Sequence, residues 1–203
     1  MKKLIGFSLA LISAAAITLP SSASAGTHFG TFGFRLTSGV GDWGNSTQYY
    51  WIDSSASGET SRINDSMSAW VHTGHILSTP ISFRKTTNKP SSVMDIYKRN
   101  YFPYSEHTLG IARFYKSGSE VKPYEENYSW TKILINAPNY NEFNDFYKRG
   151  TLAHEMGHAF GLAHNNAEGD SIMCQLDSGE PGDAKRYVNT PDLGSLYGIN
   201  SLY

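Results

Sequence analysis

Apolar positions in this chain come in short runs whose spacing changes along the sequence, and that spacing predicts the elements. Residues 47–52 read as a strand after a Gly-rich segment at 26–44. Ile63, Met67, Trp70 and Val71 recur at helical spacing, which predicts a helix over 60–72 with one face laid on a sheet. Extended segments follow at 81–87, 92–97, 109–115 and 131–136. Ile133, Leu134 and Ile135 between Lys132 and Asn136 form the short apolar run of an inner strand. A long helix is expected from a cap at Asn141 to Gly161, packed through Phe143, Phe146, Leu152, Met156 and Phe160. Gly150 and Gly157 lie inside it at a cost of about 1 kcal/mol each against alanine, so packing must hold this helix together. Thr190 and Pro191 open a last helix with Leu193, Leu196 and Ile199 on its apolar side. The expected fold class is α+β, a mixed twisted sheet with the helix ending at Gly161 and a C-terminal helix.

The long helix carries the chemistry. Its second half reads HExxHxxGxxH, with His154, Glu155, His158, Gly161 and His164 at the specified positions. His154 and His158 stand one turn apart on one face, so both can reach a single ion. Gly161 can take a positive φ, letting the chain leave the helix sharply and swing His164 back to the same point. Three imidazoles leave the fourth zinc position open to water, as in a catalytic site, whereas a structural site is closed by four protein ligands. Zinc lowers the pKa of its water to about 7, and Glu155 stands beside the ligands to take the proton.

Composition narrows the setting. Residues 1–25 have a basic start at Lys2 and Lys3, an apolar run over 4–19 and a small-residue end at Ala23, Ser24 and Ala25, the features of a removed signal peptide. No other stretch approaches the roughly 20 apolar residues of a membrane span. The mature chain, residues 26–203, suits one domain. It keeps 15 basic and 18 acidic side chains, net −3, which argues against nucleic acid or anionic membrane as a partner. Cys174 is the only cysteine, so no internal disulfide forms. A secreted, extracellular monomer acting on a protein or peptide is the expectation.

Residues 108–203 resemble a matrixin-type catalytic domain, the matrix metalloproteinase type within the metzincin (zincin-like) fold. His154, Glu155, Met156, Gly157 and His158 carry the glycine that matrixins and serralysins share. Leu109, Gly110, Ile111, Ala112, Arg113, Phe114 and Tyr115 are similar to their substrate-flanking edge strand, and Ser171, Ile172, Met173 and Cys174 to their Met-turn. The resemblance implies His154, His158 and His164 as ligands of one catalytic zinc, Glu155 as the base, Met173 as the apolar floor, and Leu109, Gly110, Ile111 and Ala112 as substrate-binding. It departs from the family at Ile111, where animal matrixins tend to carry a histidine for a second zinc. It departs again at Asn165 after the third histidine and at Gln175, where serralysins and astacins have a tyrosine.

Other residues keep two readings. Cys174 could approach the metal as a thiolate, against the commoner buried inert thiol. Residues 26–45 could mask the site through Asp42 or His28, against a solvated loop. Asp177, Glu180 and Asp183 could bind calcium, although EF-hand spacing is lacking. His72, His75 and His107 lack ligand spacing and fit the surface. A substrate strand would pair with the edge strand at 109–115. Its specificity pocket would lie between the long helix and residues 175–190, where Phe160, Tyr187 and Tyr197 favour an apolar side chain just after the cleaved bond. The chain is therefore expected to be a secreted zinc endopeptidase. A zinc-stabilised secreted binding protein or toxin without turnover is the alternative, disfavoured by Glu155.

Overall fold

The computed structural model describes residues 30–100, 108–176 and 182–203. The expected signal segment, His28, His107, Asp177 and Glu180 lie outside the described residues. The strands are β1 (Gln48–Ile52), β2 (Phe83–Thr86), β3 (Met94–Arg99), β4 (Gly110–Lys116), β5 (Ser119–Val121) and β6 (Trp130–Asn136). They form a mixed sheet in the order β2-β1-β3-β6-β4-β5. β2, β1, β3 and β6 run parallel, and β4 runs antiparallel to β6. With helices α1 (Thr60–Val71), α2 (Ala137–Asn141), α3 (Asp145–Ala159) and α4 (Leu193–Leu202), the architecture is α+β.

Side-chain alternation decides which face of the sheet is covered. In β6, Ile133 and Ile135 are fully buried while Lys132 and Leu134, which alternate with them, are only partly so. The covered face joins Tyr50, Phe83, Met94, Ile96 and Phe114 to Ile63, Met67 and Trp70 of α1 and to Leu152 and Met156 of α3. Trp70 fixes the crossing of the two helices, since its indole N–H donates to Ala153 O at 3.0 Å. At the head of α1 the buried Glu59 carboxylate accepts from Lys98 Nζ at 2.6 Å, Arg62 NH1 at 2.9 Å and the Tyr140 hydroxyl at 3.3 Å.

Both helix starts differ from the expectation. Asn141 ends α2 and accepts from Lys98 Nζ; Asn144 caps α3 instead, its side chain accepting from Tyr147 N at 3.2 Å. The new start turns Phe146 out to solvent and leaves Phe143 half-buried, so neither packs into the core. α4 is capped by Asp192, which accepts from Ser195 N at 2.9 Å, while Thr190 and Pro191 precede the cap and Leu193 is exposed. A carboxylate at that place satisfies the free amides better than the threonine two residues earlier.

β5 is the strand the periodicity does not reveal. Ser117 and Gly118 both take positive φ, 50° and 84°, and join Lys116 to Ser119 as a two-residue hairpin. β5 pairs with Phe114, Tyr115 and Lys116, so among the described strands none covers the outer edge of β4 at Gly110 and Ile111.

Candidate metal centre

α3 ends in a turn that builds half of the site. Gly161 has φ 103°, its N–H donates to His158 O at 2.8 Å, and Leu162 N donates to Gly157 O at 3.0 Å. This paired closure is a Schellman motif. It is locked from outside, because the hydroxyls of Tyr128 and Tyr203 donate to Ala159 O and Phe160 O at 3.0 and 3.1 Å. A Cβ on Gly161 would meet Leu202 Cδ1 at 2.7 Å and Phe34 O at 3.0 Å, so glycine is required for space as well as for φ.

The turn brings three imidazoles together. His154, His158 and His164 each present a ring nitrogen, all within 4.8 Å of one another, and they are the one such group among the described residues. His158 Nε2 lies 3.0 Å from His154 Nε2 and 3.1 Å from His164 Nε2. The opposite nitrogens fix the tautomers: His154 Nδ1 donates to Ile172 O at 2.8 Å and His158 Nδ1 to Leu162 O at 2.7 Å. Their Nε2 atoms therefore carry lone pairs. Burial, with repulsion among the rings, holds His154 well below its ordinary pKa and His158 down to about 3; burial and Arg186 lower His164. Neutral imidazoles with converging lone pairs repel unless a cation sits between them, and this donor set fits a metal ion.

The floor is tied to the same rings. Met173 is buried, and a Cβ on Gly157 would run into its Sδ, which explains why this helix position tolerates no side chain. Asp192 Oδ2 accepts from Ile172 N at 2.7 Å, joining the cap of α4 to the residue that orients His154. Phe32 stacks on His158 with ring centroids 5.7 Å apart, so the N-terminal segment reaches the site as an apolar wall. Asp42, by contrast, is exposed in a turn packed on Pro80 and Ser82 and does not join the cluster.

Glu155 points toward β4. Burial pushes its carboxyl up to about 8, opposed by the Arg186 charge and a hydrogen bond from Ala112 N–H. A Cβ on Gly110 would come within 3.0 Å of Glu155 Cγ. Gly110 and Ala112 thus border the carboxylate, with Leu109 just ahead of them donating no side chain to the cluster, and Ile111 on the alternate face of the strand.

Several expected participants stand elsewhere. Phe160 is fully buried against Trp70 and Phe83, at centroid distances of 5.4 and 5.2 Å, and lines no open pocket. Tyr187 and Tyr197 are exposed. The Cys174 thiol donates to Gln175 O and Ala184 O, and burial raises its pKa, so it behaves as a structural group. His72 and His75 are exposed and outside the cluster, and Asp183 joins no ligand group. The residue that the sequence reading overlooks is Arg186, 4% exposed between α3 and the segment after Met173. Nothing in its neighbours' sequence signals that a loop arginine is buried.

The chain matches no protein-family model and no curated protein.

Proposed function

We propose that the chain is a secreted zinc-dependent endopeptidase of the matrixin type, with His154, His158 and His164 holding one zinc and Glu155 serving as the base. The observation that carries this reading is the convergence of the Nε2 atoms while two carbonyls hold the Nδ1 protons of His154 and His158. Zinc with nitrogen ligands at about 2.0–2.1 Å in a tetrahedron sets those nitrogens about 3.3–3.4 Å apart, a few tenths of an ångström from the spacing found. Three neutral nitrogen donors with no thiolate or carboxylate suit zinc and leave a position open.

When bound, zinc supplies Lewis-acid activation of water and of a peptide carbonyl. The chain's own residues do the rest. The free edge of β4 pairs with an extended substrate and sets the register of the scissile bond. Glu155, buried beside that edge, accepts the proton of the attacking water on a carboxylate oxygen and returns it to the leaving amine. Met173 and Phe32 close the rear of the rings with apolar surface, which keeps competing water from the ligands.

Casein digestion by the zinc-loaded protein tests the proposal, beside a chelator-treated sample and Glu155→Ala. Cleavage lost in both controls is expected. A protein that binds one equivalent of zinc but cleaves nothing would instead support the binding-protein reading.

A further inference from the structure

α1 borders a second concave surface, away from its buried stripe. Ile63, Met67 and Trp70 point into the core. Asp65, Ser68, Ala69 and His72 stand at positions i, i+3, i+4 and i+7, so they form a neighbouring stripe along the same helix. With Arg149 of α3 and Pro191 ahead of α4, this stripe lines a cavity of about 360 Å³. That volume lies in the range of pockets that hold small organic molecules. None of the three clustered histidines lines it, so it is separate from the metal centre.

Two opposite charges line this cavity without meeting. The Arg149 guanidinium makes no hydrogen bond or ion pair among the described residues, and its Nε is buried without a partner. The exposed Asp65 carboxylate lines the same cavity and pairs with no cation among the described residues. Arg62, on the same helix, shows the contrast, since it closes on both Glu59 and Asp145. His72 donates its Nδ1 proton to Ser68 O at 3.0 Å, which leaves its Nε2 unused. Asp65, His72 and His75 do not bring their ligand atoms together as the metal centre does, so the cavity is not a second metal site. Ala69, Pro191 and the exposed Ile76 add an apolar wall.

We propose that this cavity binds a zwitterion of the amino-acid type, a free amino acid or short peptide with an apolar side chain, its carboxylate on Arg149 and its ammonium on Asp65. A planar guanidinium fork takes a carboxylate through charge-assisted N–H bonds, and the Asp65 carboxylate accepts from an ammonium in the same way. Each lining charge then gains the counter-ion that the chain does not supply. A simple anion such as phosphate fits less well, because it would satisfy Arg149 while facing the like charge of Asp65 and would fill only part of the volume. The inference concerns binding alone and stands whether or not the chain cleaves peptides.

Isothermal titration calorimetry with leucine tests the site. The controls are N-acetylleucine, which lacks the ammonium, leucinamide, which lacks the carboxylate, and inorganic phosphate. Leucine should bind saturably at one site with a Kd on the order of 1 mM, about tenfold or more tighter than each control. Leu-Leu separates the two sources: tighter binding than leucine assigns the cavity to a short peptide, and weaker binding assigns it to a free amino acid. Arg149→Gln should erase the advantage of leucine over leucinamide, and Asp65→Asn its advantage over N-acetylleucine. Failure of both leucine and Leu-Leu to bind overturns the proposal, as does N-acetylleucine, leucinamide or phosphate binding as tightly as leucine. Neither result needs a variant to fold. Leucine binding unchanged in both variants also overturns it, because the ligand would then sit elsewhere, at the histidine cluster for example.

Discussion

His154 donates its Nδ1 proton to the carbonyl of Ile172 at 2.8 Å, so the residue just before Met173 sets the direction in which the first histidine presents its lone pair. Ile172 is itself held by Asp192, the cap of α4. The orientation of one ring therefore depends on a helix terminus twenty residues beyond the turn.

Replacing Asp192 with alanine should weaken both functions. Loss of the cap costs about 1 kcal/mol, and leaving Ile172 N–H without a partner adds about 1–3 kcal/mol. We expect a lower melting temperature together with weaker zinc binding, measured by thermal unfolding and competition with a chromophoric chelator. Asp192→Asn should restore most of the stability.

His164→Ala separates metal affinity from folding. His164 is the exposed member of the cluster, so its removal should leave the melting temperature of the metal-free protein nearly unchanged. If the cluster holds zinc as proposed, the metal should bind the folded form with a complete site and raise the melting temperature of the unmutated protein. That rise should shrink sharply in the variant, as differential scanning fluorimetry with and without zinc would show.

Gly157→Ala should damage the site from below. Alanine favours the helix by about 1 kcal/mol, but the methyl group would meet Met173 Sδ and lie 3.2 Å from Trp70 Cζ2. Overpacking of this kind costs about 1–3 kcal/mol, and the neighbour that must yield is the floor under the histidines. Reduced zinc content in the purified variant, with near-native far-UV circular dichroism, is the expected result.

Gly110→Val should impair turnover more than metal binding. A Cβ at Gly110 would press on Glu155 Cγ, Oε1 and Cδ at 3.0–3.3 Å, its three nearest neighbours. A displacement of the base by a fraction of an ångström is enough to lower kcat about tenfold or more. Unchanged kcat with full zinc occupancy would remove β4 and Glu155 from the proposed chemistry.

Acid stability should report Glu59. Burial raises its pKa, but the hydrogen bonds from Lys98 and Arg62 outweigh that and hold it below its ordinary value of 4.5. A depressed folded-state pKa means a contribution present above the ordinary carboxylate value and lost as the pH falls through the lowered one. Glu59→Gln should be less stable at neutral pH, and its deficit should narrow below about pH 4, as urea unfolding across pH would show.

The convergence of the three histidines and the long helices are legible from the sequence because both depend on local spacing. His154 and His158 need only a helix, and Gly161 needs only a positive φ. Helix starts are less legible, since Asn141 and Asn144 are chemically equal caps and only the placement of Lys98 and the break at Glu142 separate them. Phe160 misleads for a related reason: it lies beside the ligands in sequence, yet its ring points to Trp70 and Phe83 across the core. Arg186 is invisible beforehand because its burial arises from elements thirty-five residues apart meeting at Thr151.

The closure around Gly161 ties together parts of the chain that are synthesised at opposite times. Tyr203 donates to Phe160 O while accepting from Leu36 N, a contact spanning 167 residues. The loop carrying His164 is thus clasped by the beginning and the end of the domain at once. A nascent chain still lacking α4 has the local hydrogen bonds of the Gly161 turn but not the Tyr203 hydroxyl that clasps it, so the approach to His164 is held from outside only once α4 has docked.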